Sequence, residues 1–156
     1  GGGARCDGTG LDVEDLMYGE RIGSVMKAEE LLVAGPTTSV ADAVRRMVAS
    51  GVSAVVVVDR ERITGIFTER DAVWRVLAQA QDPGTTRLAA VMTAPVVTVS
   101  SEQSFGRALA LMHEHGIRHL PVVENDLAVG IVTARDALDP ELEEFVCEAR
   151  RREAIR

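Results

Sequence analysis

Two Thr-x-x-Asp pairs carry the clearest chemistry in the chain: Thr68 with Asp71 inside GIFTERD (65–71), and Thr133 with Asp136 inside GIVTARD (130–136). Each follows a β-branched run and precedes a helical pattern, which sets it at a strand-to-helix junction. A threonine at a helix entry with an acid three residues on is a reciprocal cap that stabilises any helix, and that bland role fits the spacing. The junction also suits ligand chemistry. Exposed backbone N–H groups there favour phosphate, and a carboxylate accepts two hydrogen bonds from a sugar diol. Both roles are compatible.

The two pairs differ in what stands near them. Arg118 and His119 precede a strand in the second half, where the first half has Ser53 and Ala54. A permanent cation beside one junction points to one dominant phosphate locus; the plain alternative is a surface Arg and a half-buried His at a strand edge. Pro121, opposite Val56 of the first half, removes a backbone donor and leaves room beside a ligand, though an ordinary edge proline looks identical. Arg70 and Arg135 follow the threonines by two residues and either reach phosphate or stay solvated, as exposed Arg residues usually do. His113, His115 and His119 raise a metal site, but Gly116 interrupts them and no carboxylate or thiol completes a ligand spacing, so none is expected. No Ser-His-Asp arrangement, phosphate-binding P-loop or HExxH motif is present, so the chain reads as non-enzymatic.

The elements that hold these residues are written twice. An offset of 65 aligns Ser39 to Ala72 with Ser104 to Ala137 without a gap, and Ile22 to Met26 resembles Leu88 to Met92 with a one-residue slip. Ser39, with Asp42 three residues later, predicts an N-cap, and Val40, Val44, Met47 and Val48 predict one apolar face ending at Gly51. The copy runs from Ser104 through Phe105, Leu109 and Met112 to Gly116. Val52 to Asp59 and Ile63 to Thr68 predict a hairpin around Arg60 to Arg62, repeated around Asn125-Asp126. After Thr68 the pattern turns helical and places Trp74 and Leu77 on a packing face, with Asp82-Pro83-Gly84 as the stop.

Each unit is thus read as helix, two strands, helix. The short connector predicts that the units pack together with pseudo-twofold symmetry. Boundaries follow: a flexible leader over 1–20, repeats over 21–80 and 81–138, and an amphipathic helix over 139–156. That last helix has Asp139 and Pro140 at its start, Leu142, Phe145, Val146 and Ala149 as its stripe, and charges matched to the helix dipole.

Of the 156 residues 46% are hydrophobic and only 3% aromatic, a composition suited to a mixed α and β core. A net charge of −7 and few aromatics argue against nucleic acid as a partner. Cys6 and Cys147 lie far apart with no paired spacing, which predicts a reducing, cytoplasmic setting. No apolar run approaches a membrane span of about 20 residues. The Gly-rich start reads as a leader or an artificial extension.

With GIRHLPVVEND (116–126) and the two VM lead-ins, the repeated Gly-apolar-x-Thr-x-x-Asp pattern resembles tandem cystathionine-β-synthase (CBS) domains of the stand-alone signal-transduction type, over about residues 20–138. The resemblance implies an α+β (α/β) fold of two CBS repeats, each a small sheet flanked by two helices. It implies a regulatory ligand of adenosine type, AMP, ADP, ATP or a related adenosyl compound, with no cofactor required. By the same resemblance Asp71 and Asp136 hold ribose, Thr68 and Thr133 contact sugar or phosphate, and Val33 and Thr98 meet the base through backbone groups. Arg118 and His119 fall where nucleotide-sensing relatives contact phosphate. A homodimer and a separate downstream protein are the implied partners. The alternative is a purely structural dimerisation module with degenerate pockets.

Overall fold

The structure, a computed structural model, describes residues 19–26 and 28–138 together with Glu148, Arg151, Arg152 and Ile155. Nearly all of the expected leader and tail helix, and both cysteines, lie outside the described residues.

The described elements run α1 (Ile22–Val25), β1 (Val33–Ala34), α2 (Val40–Ser50), β2 (Ala54–Asp59), β3 (Arg62–Thr68), α3 (Glu69–Asp71, continued as a π-helix over Ala72–Leu77), α4 (Leu88–Val91), β4 (Val99–Ser100), α5 (Phe105–His115), β5 (His119–Glu124) and β6 (Leu127–Thr133), followed by a 3₁₀ segment Ala134–Leu138. They form two three-stranded sheets, β1-β2-β3 and β4-β5-β6. The fold is therefore mixed α and β, but each sheet has one strand more than the two read from the sequence. β1 runs parallel to β2, with Val33 opposite Val56 and Ala34 opposite Val57. Two residues are too short a run for alternation to register, which is why the pattern hides this strand.

Local sequence explains the rest of each repeat. Ser39 caps α2 by accepting from Asp42 N at 3.2 Å, and Ser104 caps α5 by accepting from Arg107 N at 3.2 Å. Gly51 and Gly116 end these helices in the left-handed region, with φ of 66° and 63°. The hairpin turns are Arg60-Glu61 and Asn125-Asp126, each with two positive φ values, as a two-residue turn between twisted strands requires.

Two expected faces are corrected. In α2 the buried residues are Val40, Ala43 and Met47, whereas Val48 is 78% exposed. At about 100° per residue Val48 is turned off the stripe centred near Met47. After α3 opens, Ala78 N bonds Val73 O and Gln81 N bonds Val76 O, both five residues back. These wide turns bring Val76 inward and leave Trp74 61% and Leu77 69% exposed, so neither lies on an internal packing face.

Among the described residues the contacts sort into two compact units, one of residues 28–98 with 123–131, the other of residues 19–26, 99–122 and 132–138. In the first, Leu88 N bonds Thr38 O, Ala89 N bonds Pro36 O and Val40 N bonds Thr86 O, at 2.9, 3.0 and 2.9 Å. In the second, Ile22 N bonds Gln103 O, Gly23 N bonds Ser101 O and Phe105 N bonds Glu20 O, each at 2.8 Å. The same three bonds are made twice. In each case the lead-in of one repeat docks on the helix entry of the other, so the contact grouping crosses the repeat boundaries. Leu88 and Val91 accordingly join Val40, Met47, Val55, Val57, Phe67 and Val76 in one buried cluster, where apolar area removed from water holds the lead-in down.

Candidate functional site

In the first contact unit, β3 delivers Thr68 to the start of α3, where the full reciprocal cap forms. Asp71 N donates to Thr68 Oγ1 at 3.3 Å, and Thr68 N donates to Asp71 Oδ2 at 3.0 Å. The Thr68 hydroxyl also donates to Oδ2 at 3.3 Å. Having a single proton, that hydroxyl faces any further ligand as an acceptor only. Asp71 is 6% exposed, and its other oxygen is engaged as well: Oδ1 accepts from Thr93 Oγ1 at 3.0 Å and lies 3.5 Å from Arg75 Nε.

Neither Thr93 nor Arg75 was among the sequence candidates. Arg75 sits four residues beyond Asp71, a spacing that is readable on a helix. Thr93 is 22 residues away and reaches Asp71 only because α4 docks beside β3, a proximity no local pattern encodes. The close approach there depends on Gly65, where a Cβ would overlap Met92 Sδ and Cγ. Val33 lies in the same contact unit, in the short outer strand β1, with its carbonyl accepting from Arg46 Nη2 at 2.7 Å. Thr98, half-buried, falls just before β4. Arg70 is exposed, its guanidinium 4.4 Å from the centre of the Trp74 ring, a cation–π contact.

The second contact unit gathers Arg118, His119, Pro121, Thr133, Arg135 and Asp136. Ala134 N donates to Arg118 O at 3.0 Å, which ties the residue before β5 to the first residue of the turn after β6. Glu69 N and Ser53 O make the matching bond in the first unit, also at 3.0 Å. Arg118, exposed to solvent, thus adjoins this junction where Ser53 adjoins the first, whose own aspartate instead faces Arg75. His119 opens β5 half-buried, and Pro121 is buried within that strand. Asp136 is 3% exposed, its Oδ2 accepting from Thr133 N at 2.8 Å; Arg135 points to solvent. Among the described residues no group of three His, Cys, Asp or Glu side chains could hold a metal ion, and no helix is long and apolar enough to cross a membrane.

The arrangement can accept diol hydrogen bonds at a buried carboxylate and meet an anion with Arg118.

Comparison with known proteins agrees with this architecture. A family model described as the CBS domain matches residues 22–77 and 88–141. An uncharacterized protein of Methanopyrus kandleri is 34% identical over 122 residues, 77% of this chain and 62% of its own length. The chain spans between 15% and 62% of the length of the first curated relatives it matches. Among solved structures, a hexameric CBS-CP12 protein from bloom-forming cyanobacteria superposes with a TM-score of 0.72 at 29% identity, over 81% of this chain and 73% of that one. The CBS domain pair of protein MJ0100, in complex with 5′-methylthioadenosine and S-adenosyl-L-methionine, shares the fold at a TM-score of 0.67 and 22% identity, over 75% of this chain and 95% of that one.

Proposed function

The chain belongs to the CBS-domain family, and from that premise we propose that it is a non-enzymatic regulatory module that binds an adenosine-type nucleotide and signals its occupancy to a separate protein. AMP, ADP, ATP and related adenosyl compounds form the ligand class. The observation that carries this reading is the buried carboxylate of Asp136 in the turn whose Ala134 N bonds the Arg118 backbone carbonyl, so that the residue bearing a permanent cation adjoins the turn bearing the carboxylate. A nucleotide needs that pair: an acceptor for ribose hydroxyls and a cation for phosphate. Asp136 takes the ribose, Arg118 and His119 the phosphate, with Thr133 and Arg135 beside them and Pro121 making room for the base. Val33 and Thr98, which fall in the contact unit of Asp71, offer backbone groups to the base of a ligand held there. The adenosyl ligands bound by the MJ0100 domain pair support the ligand class.

Calorimetry and thermal shift with AMP, ATP, S-adenosylmethionine and GTP test the reading, because a ligand that binds only the folded state raises its apparent stability by mass action. Saturable binding of adenosine compounds without turnover is expected, and weak binding of guanosine and cytidine nucleotides. Equal affinity for GTP and ATP would sink the adenosine assignment, and product formation from ATP or AMP would overturn the non-enzymatic one. The far-apart cysteines support a reducing cytoplasmic setting.

A second reading, a structural dimerisation module with degenerate pockets, is favoured by one observation. Both oxygens of Asp71 are already engaged by the chain itself. In either reading a second copy of the chain is the expected partner, supported by the solvent-facing Val73, Trp74 and Leu77.

A further inference from the structure

Asp71 holds a position in the first repeat equivalent to that of Asp136 in the second, and both of its carboxylate oxygens accept hydrogen bonds from within its own contact unit. A carboxylate offers about four lone-pair sites. Thr68 N and Thr68 Oγ1 take Oδ2 and Thr93 Oγ1, at 3.0 Å, takes Oδ1, while Arg75 Nε lies 3.5 Å from Oδ1 as an ion pair. The Thr68 bonds belong to the helix cap. The Thr93 bond to Oδ1 does not: it holds the segment that follows α4.

That segment is clamped at several points. Thr93 N donates to Ile66 O at 2.8 Å and Ile66 N to Thr93 O at 3.0 Å, while Arg75 Nη1 donates to Met92 O at 2.9 Å. Arg75 and Asp71 thus grip the Met92-Thr93 segment together, one through a carbonyl and one through a hydroxyl. Arg75 is half-exposed and Thr93 half-buried, so both can exchange their partners for water.

We infer that Thr93 gates the first repeat's aspartate: its hydroxyl occupies the oxygen that a ribose diol requires, and a ligand taken up by Asp71 displaces it and loosens the Met92-Thr93 clamp. This rests on the nucleotide reading above. It assigns a specificity role to a residue outside the repeated motif and supplies a route from an occupied pocket to the segment that follows the second repeat's lead-in. Only a ligand with a hydroxyl pair gains enough at Asp71 to exchange with Thr93, so 2′-deoxyadenosine compounds are excluded more strongly than at an open carboxylate.

The test uses Thr93→Val, which keeps the shape of the side chain and removes the donor. It is made in an Asp136→Ala background, so that AMP binding reads the Asp71 event. Calorimetry with AMP should show about tenfold tighter binding for Thr93→Val than for the background protein, the gain from removing one competing bond to a charged group. Thr93→Ser, which restores the hydroxyl, should return to background affinity. Asp71→Asn should abolish the gain, and a merely structural loss at Thr93 does not tighten a ligand. In the background protein, AMP should speed hydrogen exchange of the Thr93 amide. Equal or weaker AMP binding by Thr93→Val, or a gain that survives Asp71→Asn, overturns the gate and leaves the nucleotide reading standing. Failure of wild type, background and Thr93→Val alike to bind AMP, ATP or S-adenosylmethionine overturns both.

Discussion

Thr68 and Asp71 cap each other, each backbone N–H donating to the other's side chain, at 3.0 Å to the carboxylate and 3.3 Å to the hydroxyl. A residue pair assigned to a ligand is therefore also the start of α3, and a variant at either position changes stability as well as binding. Thr68→Ala is expected to lower unfolding free energy by about 0.5–2 kcal/mol, the range for losing an N-cap. Urea unfolding without nucleotide measures it, and an unchanged midpoint would show that the cap contributes nothing.

The two aspartates should not be equal in binding. With Arg118 at only one junction, Asp136→Ala should remove the main nucleotide event and Asp71→Ala only a weaker one. Arg118→Ala should raise the dissociation constant about ten- to a hundredfold, the loss of one charge-assisted hydrogen bond of roughly 1.5–3 kcal/mol. Isothermal titration with ATP decides the matter; a strong event lost in Asp71→Ala but kept in Asp136→Ala contradicts this order.

Light scattering should return about twice the chain mass of 16.7 kDa. Leu77→Glu places a charge on a surface that is apolar and exposed in the single chain, so it should shift the species toward monomer without lowering the stability of the monomer. A wild-type protein that is strictly monomeric at micromolar concentration counts against a dimer, and a dimer untouched by Leu77→Glu places its interface elsewhere.

Core and surface apolar residues should separate cleanly in denaturation. Phe67 is fully buried in the cluster that also holds Leu88, and Phe67→Ala should cost about 3–5 kcal/mol. Val48 is 78% exposed, and Val48→Ala should stay within about 0.5 kcal/mol. A Val48 effect as large as that of Phe67 would mean this face is covered in solution.

Gly65 and Met92 offer a test of how closely the lead-in must approach β3. Gly65→Ala should displace Met92 and weaken the neighbouring Ile66–Thr93 bridge, seen as faster hydrogen exchange at the Thr93 amide. Unchanged exchange there would show that the Met92 side chain simply moves aside.

What the sequence determined by itself is everything that repeats or obeys local chemistry. Ser39 and Ser104 as caps, Gly51 and Gly116 as stops, the two hairpins and the Thr-x-x-Asp junctions all depend on residues within a few positions of each other, and the offset of 65 made each visible twice. The substitution of Arg118 for Ser53 was legible because the two copies can be compared with each other. Tertiary structure decided the rest. The π-helical turns after Asp71 put Val76 inside and left Trp74 and Leu77, expected on a packing face, exposed, since a small change in helical pitch moves every later side chain. Strand β1 exists only as a partner for β2. The bonds from Leu88 to Thr38 and from Ile22 to Gln103 pass each repeat's lead-in to the other repeat, so a unit in sequence is not a unit in contacts. Thr93 meets Asp71 for the same reason. Its bond joins residues 22 positions apart across a docked segment, and periodicity, which reports only the faces of single elements, has no term for such a pairing.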